Sequence, residues 1–253
     1  MSGEPRPEET PLPRPPWERA RRSAAPPRVP LTRRRIVDAA FTVLDREGFD
    51  GLSMRRVATE LGVAVSALYA HVRDKDELLE LMYNRLFDDM VIPDPDPDRW
   101  QEQIKEFARD QRNRLLRHRD MARISMAHVP FTRELLPYAE RMFALFRAAG
   151  LPDHVVAVAG DMLATFIDGF AYEAAMWEER GRAADTESWE IMRTELEEYF
   201  AALPPDRFPS LVALASTLFS ESQEQRFEGA IDIIVRGLAS YLERPPEDPS
   251  VAG

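Results

Sequence analysis

Ser66, Tyr69, His71 and Lys75 fall within ten residues, with Arg55 and Arg56 just ahead of them. None of these spacings matches a catalytic or metal-binding set. What the side chains share is the chemistry of nucleic-acid contact. Tyr69 and His71 suit phosphate oxygens, and Lys75 adds positive charge where a helix presents its free amides. Ser66 can donate to or accept from a base edge, and the small Ser66 and Ala67 let the backbone come close. At least one of Arg55 and Arg56 is expected on the phosphate backbone. Val65 is a weaker reader, able to meet only a thymine methyl or a sugar. Tyr69 can also serve as a core ring, and Ala67 can touch nothing. Few base-specific donors remain, so DNA shape or a basic arm must share the specificity.

Positioning these groups requires short helices. From Thr32, a plausible N-cap, Ile36, Ala39, Ala40, Val43 and Leu44 repeat at the spacing of one helical face, with Gly48 as the stop. A second helix follows the Ser53 cap, burying Val57, Ala58 and Leu61, and ends at Gly62. A third runs over 63–72 with Leu68 and Val72 inward. Asp74 and Glu77 then have the spacing of a capping box for a fourth, 74–90. Two short helices joined at Leu61-Gly62-Val63 have the form of a helix-turn-helix, whose second helix enters the major groove.

The stretch LTRRRIVDAAFTVLDREGFDGLSMRRVATELGVAVSALYAHVRDKDELLEL, residues 31–81, resembles the DNA-binding domain of the TetR family of transcriptional regulators. The blocks GLSMRRVA, LGV, LYAHV and KDELL carry the likeness. The resemblance favours Arg55 and its neighbour Met54 as contacts beside Val65, Ser66, Ala67, Tyr69, His71 and Lys75. It implies a homodimer that places one recognition helix per subunit on a palindromic double-stranded DNA operator.

Charge agrees with that polarity. The net charge is −11, yet residues 1–92 hold 15 basic and 15 acidic side chains, so the remaining 18 basic and 29 acidic carry the whole excess. Between Arg14 and Ile36 stand eight arginines and a single acid, Glu18. Residues 1–30 hold nine prolines and no apolar stripe, and read as a disordered arm whose Arg19, Arg21, Arg22 and Arg28 are either solvated or laid along DNA. The head with its connecting helix is assigned to 31–92. Prolines at 93, 95 and 97 mark a boundary. A second domain is assigned to 98–244 and a disordered tail to 245–253. No strand alternation suggests a sheet, so the fold class is all-α: a three-helix head joined by a fourth helix to a helical ligand-binding and dimerisation domain.

Helices are expected at about 100–117, 119–127, 131–149, 153–180, 186–203, 206–219 and 222–243. The stretch from Phe143 through Trp177 and the run QRFEGAIDIIVRGLASYL resemble the C-terminal domain of tetracycline-repressor-like family members, which implies pairing of these helices across a two-fold axis. On the last helix Phe227, Ile231, Ile234 and Leu238 form one stripe, and Gly229, Ile233 and Gly237 a second, where small residues admit a partner helix. An interior helix would show the same pattern. Asp161, Thr165, Asp168 and Tyr172 form a polar stripe on an otherwise apolar helix, as a solvent face, a dimer seam or a cavity wall. Met121, Met126, Phe131, Met142, Phe143, Phe146, Met162, Phe166, Phe170 and Trp177 supply apolar surface, most of it core. As the wall of a small-molecule site the candidates are Met126, Phe131, Phe146, Met162, Thr165, Asp168 and Tyr172.

With no cysteine, thiolate metal sites, disulfides and cysteine nucleophiles are excluded. No phosphate-binding loop, dinucleotide fingerprint, nucleophile elbow or zinc-protease motif occurs, and His71, His118, His128 and His154 lack ligand spacing. No catalytic residue, metal or cofactor is therefore expected. No long uninterrupted apolar run or hydrophobic leader stands out, so no membrane partner is expected and the cytoplasm is the default. The function these observations favour is a repressor released by a small-molecule effector of unknown identity. The alternative is a ligand-binding helical protein or enzyme whose helix-turn-helix is only structural.

Overall fold

A computed structural model of the chain describes residues 30–127, 132–183, 186–220 and 222–242, and among them all regular structure is helical. The Pro/Arg-rich arm up to Val29, the candidate Phe131 and the tail from 245 lie outside the described residues.

Local capping starts the helices where the sequence places them. Thr32, in an extended conformation, accepts the Arg35 N–H and begins α1 (Arg33–Gly51), which buries Ile36, Val37, Ala40, Val43 and Leu44. Gly48, at φ 72°, breaks the helical run before a last turn to Gly51. Ser53 accepts the Arg56 N–H and starts α2 (Met54–Leu61). Gly62 follows at φ 65°, ψ 33°, with no atom within 4 Å of where a Cβ would stand. Glycine is needed there for the left-handed backbone and not for space. The turn leads into α3 (Val65–Tyr69), whose Leu68 is fully buried against α1 and α2.

The next helix, α4 (Lys75–Arg85), differs from expectation at both ends. Asp74 accepts the Glu77 N–H at 2.8 Å, but Glu77 returns to the N–H of Arg73 at 2.6 Å, one residue earlier than in a capping box. Helical geometry stops at Arg85 instead of reaching Met90. Beyond it the chain tightens into i→i+3 turns, with Leu86, Phe87 and Met90 donating to Tyr83, Asn84 and Phe87. Buried Arg114, from the following helix, donates to the Leu86 carbonyl at 2.7 Å and pairs with Asp89 and Asp110, satisfying this helix end from outside.

The body is built from α5 (Trp100–Leu116), α6 (Met121–Met126), α7 (Leu136–Ala148), α8 (Asp153–Ala183), α9 (Thr186–Ala201), α10 (Pro209–Ser220) and α11 (Gln223–Ala239). α8 is long and apolar enough to cross a membrane by composition, yet it forms the centre of the body: Leu163, Ile167 and Ala171 are buried, and α5, α6, α7 and α11 pack on it. α11 lies antiparallel along α5, fixed by an ionic ladder: Lys105–Asp232 at 2.8 Å, Arg109–Glu228 at 2.6 Å, and Arg112–Glu224. Its buried stripe is Phe227, Ile231, Val235 and Leu238, so Val235 takes the place expected of Ile234. α9 and α10 pack chiefly on each other.

Head and body meet where the end of α1 faces the α5–α6 corner. The Phe41 ring stacks on His118 at 4.1 Å, and Asp45 accepts from the Arg119 N–H at 3.0 Å while contacting His118 Nδ1 at 2.9 Å. Asp120, the single non-glycine residue with positive φ (56°) among those described, accepts the Phe49 N–H at 2.8 Å.

Candidate nucleic-acid interface and internal cavity

The predicted contacts differ in how far they reach the surface of the head. Ser66 and Tyr69 are exposed, Tyr69 by 52%, while Val65, Ala67 and His71 are partly covered. Ala64 occupies the N-cap of α3 and has no side chain to cap it, so the first amides of this helix stay open to an acceptor such as a phosphate oxygen. Tyr69 therefore projects from the head and is no core ring. Met54 is 8% exposed and packs into the core, which leaves it to support the α2 N-terminus from beneath.

The two arginines of α2 are distinguished by their neighbours. Arg56 Nε pairs with Glu47 at 3.1 Å, and Arg46 bridges Glu47 and Glu60 at 2.9 Å. Arg55 is exposed, and its guanidinium has no partner among the described residues. Of the pair, Arg55 keeps its charge available. Lys75, at the start of α4, lies 4.7 Å from the centre of the Phe49 ring, whose contacts also include Arg123 of α6 at 4.4 Å. Arg33 donates to the His71 carbonyl at 2.9 Å, tying the start of α1 to the end of the recognition segment.

A cavity of about 340 Å3 lies between α4, α5, α7 and α8. Its walls are Tyr83 and Phe87 from the end of the head, Phe107 and Gln111 from α5, Leu135, Tyr138, Ala139, Met142 and Phe143 from α7 and its lead-in, and Ala157, Gly160, Asp161 and Ala164 from α8. Most of this lining is apolar or aromatic, as in small-molecule sites generally. Gly160 lets α7 approach α8 closely at this wall. A Cβ on Gly160 would stand 2.8 Å from Phe143 Cε1 and 3.2 Å from Met142 Cε. Tyr138 donates its hydroxyl to the Phe87 carbonyl at 2.6 Å, and Gln111 is buried with its carboxamide oxygen unpartnered among the described residues.

None of the described ligand candidates named from sequence lines this cavity. Phe146 is completely buried core, and Met126 is 56% exposed. Thr165 and Tyr172 are exposed on α8 away from the cavity. Met162 lines a separate groove of about 500 Å3 on the outer face of α8 and α11, together with Val158, Ile233 and Gly237. Asp168 lies behind the cavity: Oδ2 accepts from Ser125 Oγ at 2.9 Å, and Oδ1 is buried without a partner among the described residues. Burial pushes this carboxyl up to about 6, against the Ser125 hydrogen bond. Tyr83 is pushed up to about 12, by burial first and by Asp168 second. The residues that line the cavity share one signal visible in the sequence: Phe107/Gln111 and Tyr138/Met142 are four apart, and a glycine stands opposite them on an apolar helix.

Candidates for the subunit interface are all exposed. Gly229, Ile233 and Gly237 form one line along the outer face of α11, Ile233 exposed by 73%, and nothing lies within 4 Å of a Cβ on either glycine.

Residues 36–82 match the family described as bacterial regulatory proteins, tetR family, and residues 92–242 match the tetracyclin repressor-like C-terminal domain. The HTH-type transcriptional repressor DrrR1 of Streptomyces coeruleorubidus is 29% identical over 80% of this chain and 76% of its own length. The solved structure of the TetR family protein ActR of Streptomyces coelicolor with actinorhodin superposes with a TM-score of 0.75 and 40% identity, covering 83% of this chain and 96% of that one. ActR in complex with (S)-DNPA gives a TM-score of 0.74 at 39% identity, over 84% and 98%.

Proposed function

The chain belongs to the TetR family of bacterial regulatory proteins, and from that membership we propose that it is a cytoplasmic transcriptional repressor, released from a palindromic operator by a small molecule that enters the cavity. The observation that carries this reading is the placement of α4. Lys75 stands at its DNA-facing start, and Tyr83, about 12 Å further along the axis, forms part of the cavity wall. One helix thus belongs to both sites. DrrR1, a relative, is named a repressor, and ActR has been solved with small molecules bound.

In this reading the unit 31–92 binds DNA through Arg55, Val65, Ser66, Ala67, Tyr69, His71 and Lys75, with Met54 supporting them. The unit 98–244 binds ligand and dimerises through Gly229, Ile233 and Gly237. The exposed apolar groove holding Val158, Met162 and Ile233 fits a second copy related by a two-fold axis. No catalytic step is assigned to the chain. DNA and ligand must weaken each other by one and the same factor.

Selection from a random duplex library, followed by fluorescence anisotropy across a salt series, tests the proposal. A palindromic sequence should be enriched, binding should weaken steeply with salt, and Arg55→Ala, Tyr69→Ala and Lys75→Ala should each weaken it. Enrichment of no sequence above non-specific affinity would refute it.

A further inference from the structure

Resting on the reading of the cavity as the effector site, we infer that the effector is an aromatic compound bearing a protonated amine, its rings held by the aromatic walls and its ammonium by Asp161. The lining includes one charged side chain, Asp161, and no Lys, Arg or His. Asp161 forms no ion pair among the described residues and is exposed at the mouth, so it is solvated now and free to take a cation. Tyr83, Phe107, Tyr138 and Phe143 surround the space with rings, whose faces are electronegative and favour a positive charge over a negative one.

Deeper polar groups point the same way. Gln111 is 8% exposed, and its buried carboxamide oxygen has no donor. Beyond the wall, Asp168 keeps one oxygen buried and unpartnered. A carboxylate ligand would enter beside Asp161 with no cation to receive it, and desolvating two like charges together is unfavourable. A neutral aromatic would gain the apolar contacts alone. The volume of about 340 Å3 is sufficient for a fused three-ring system.

Three anthracenes of matched size separate charge from shape: 2-(aminomethyl)anthracene, 2-(hydroxymethyl)anthracene and anthracene-2-carboxylate, titrated by fluorescence into the full-length protein at pH 7. The ammonium should bind about tenfold more tightly than the alcohol, and the carboxylate more weakly than either. Asp161→Asn should remove the preference for the ammonium while leaving the alcohol within about twofold, and Asp161→Lys should reverse the order toward the carboxylate. Because Asp161 is exposed, thermal melting of both variants should match the parent. Equal binding of all three probes, or a preference that survives Asp161→Asn, would overturn the inference and leave the regulator reading intact. Binding in the stated order without release of DNA would support the charge assignment and count against the effector reading. Binding by none of the three would overturn both.

Discussion

Asp168→Asn isolates, among the described residues, a buried carboxyl whose ionised form folding disfavours. Its ordinary value is 3.8, and burial raises it to about 6. The native protein therefore holds this proton more tightly than the unfolded chain does, and it loses stability as pH rises through the window between those two values. At 1.36 kcal/mol per unit, the limit above pH 7 is a destabilisation of about 3 kcal/mol, of which about 2 kcal/mol develops between pH 4 and pH 7. Asparagine keeps an oxygen for Ser125 and carries no charge, so the variant should gain on the parent by about 2 kcal/mol across that interval. The amide it leaves beside the former Oδ1 position adds a constant cost, which shifts the whole difference without changing its slope. Other acids run the opposite way. Glu228 and Asp232 are held low chiefly by hydrogen bonds from Arg109 and Lys105, and Asp89 by Arg114, so their contributions are lost as pH falls. They are common to both proteins and cancel. Urea unfolding of parent and variant at fixed protein concentration, every half unit from pH 4 to pH 7, gives the difference directly. A difference flat to within about 0.5 kcal/mol would refute a buried, charge-sensitive Asp168.

Arg55→Ala should lower operator affinity about tenfold and reduce the salt slope by about one, whereas Arg56→Ala, which removes a guanidinium already held by Glu47, should change the slope less; equal slopes for both in anisotropy titrations would contradict the assignment. Gly160→Ala should weaken 2-(aminomethyl)anthracene binding, because the added Cβ would stand 2.8 Å from Phe143 Cε1 and force that ring to shift, and unchanged affinity would mean the ring yields freely. Gly62→Ala should cost about 1 kcal/mol in urea unfolding through the left-handed backbone alone, since its Cβ meets nothing; a cost above about 3 kcal/mol would point to a steric clash instead.

Helix starts were readable because their causes are local. Thr32, Ser53 and Ser222 cap amides three residues ahead, and Gly62 permits a turn that no neighbour has to enforce. The end of α4 was not readable, because Arg114 fixes it from 28 residues away. Likewise the exposure of Arg55, Ser66 and Tyr69 follows the helical pattern, whereas the burial of Met54 depends on how α1 and α2 pack. The cavity was illegible for a different reason. It is lined by small residues, Ala157, Gly160 and Ala164, and by rings whose spacing matches that of ordinary core. Sequence periodicity also treated Asp161, Thr165, Asp168 and Tyr172 as one stripe. The four do share one arc of α8, but their neighbours divide them: Asp161 borders the cavity and Asp168 is covered by Ser125 of α6, while Thr165 and Tyr172 face open surface.

That division bears on how the two sites communicate. α6 is six residues long, about 9 Å, and both of its ends are committed. Near its end Ser125 holds Asp168 behind the cavity. At its start Asp120 accepts the Phe49 N–H, and Arg123 pairs with Asp50 at 3.2 Å, so this end grips the tail of α1. A left-handed Asp120 costs on the order of 1 kcal/mol, and the hydrogen bond to Phe49 offsets it only while head and body keep their present angle. Displacement of Tyr83 or Asp168 by an occupant of the cavity therefore meets a joint already near balance. A shift of α6 would strain the Asp120–Phe49 hydrogen bond and, through the Phe49 ring, would disturb Lys75 packed on it. Together with α4 this makes a second short chain of contacts from the cavity wall toward the head, and both chains meet at Lys75.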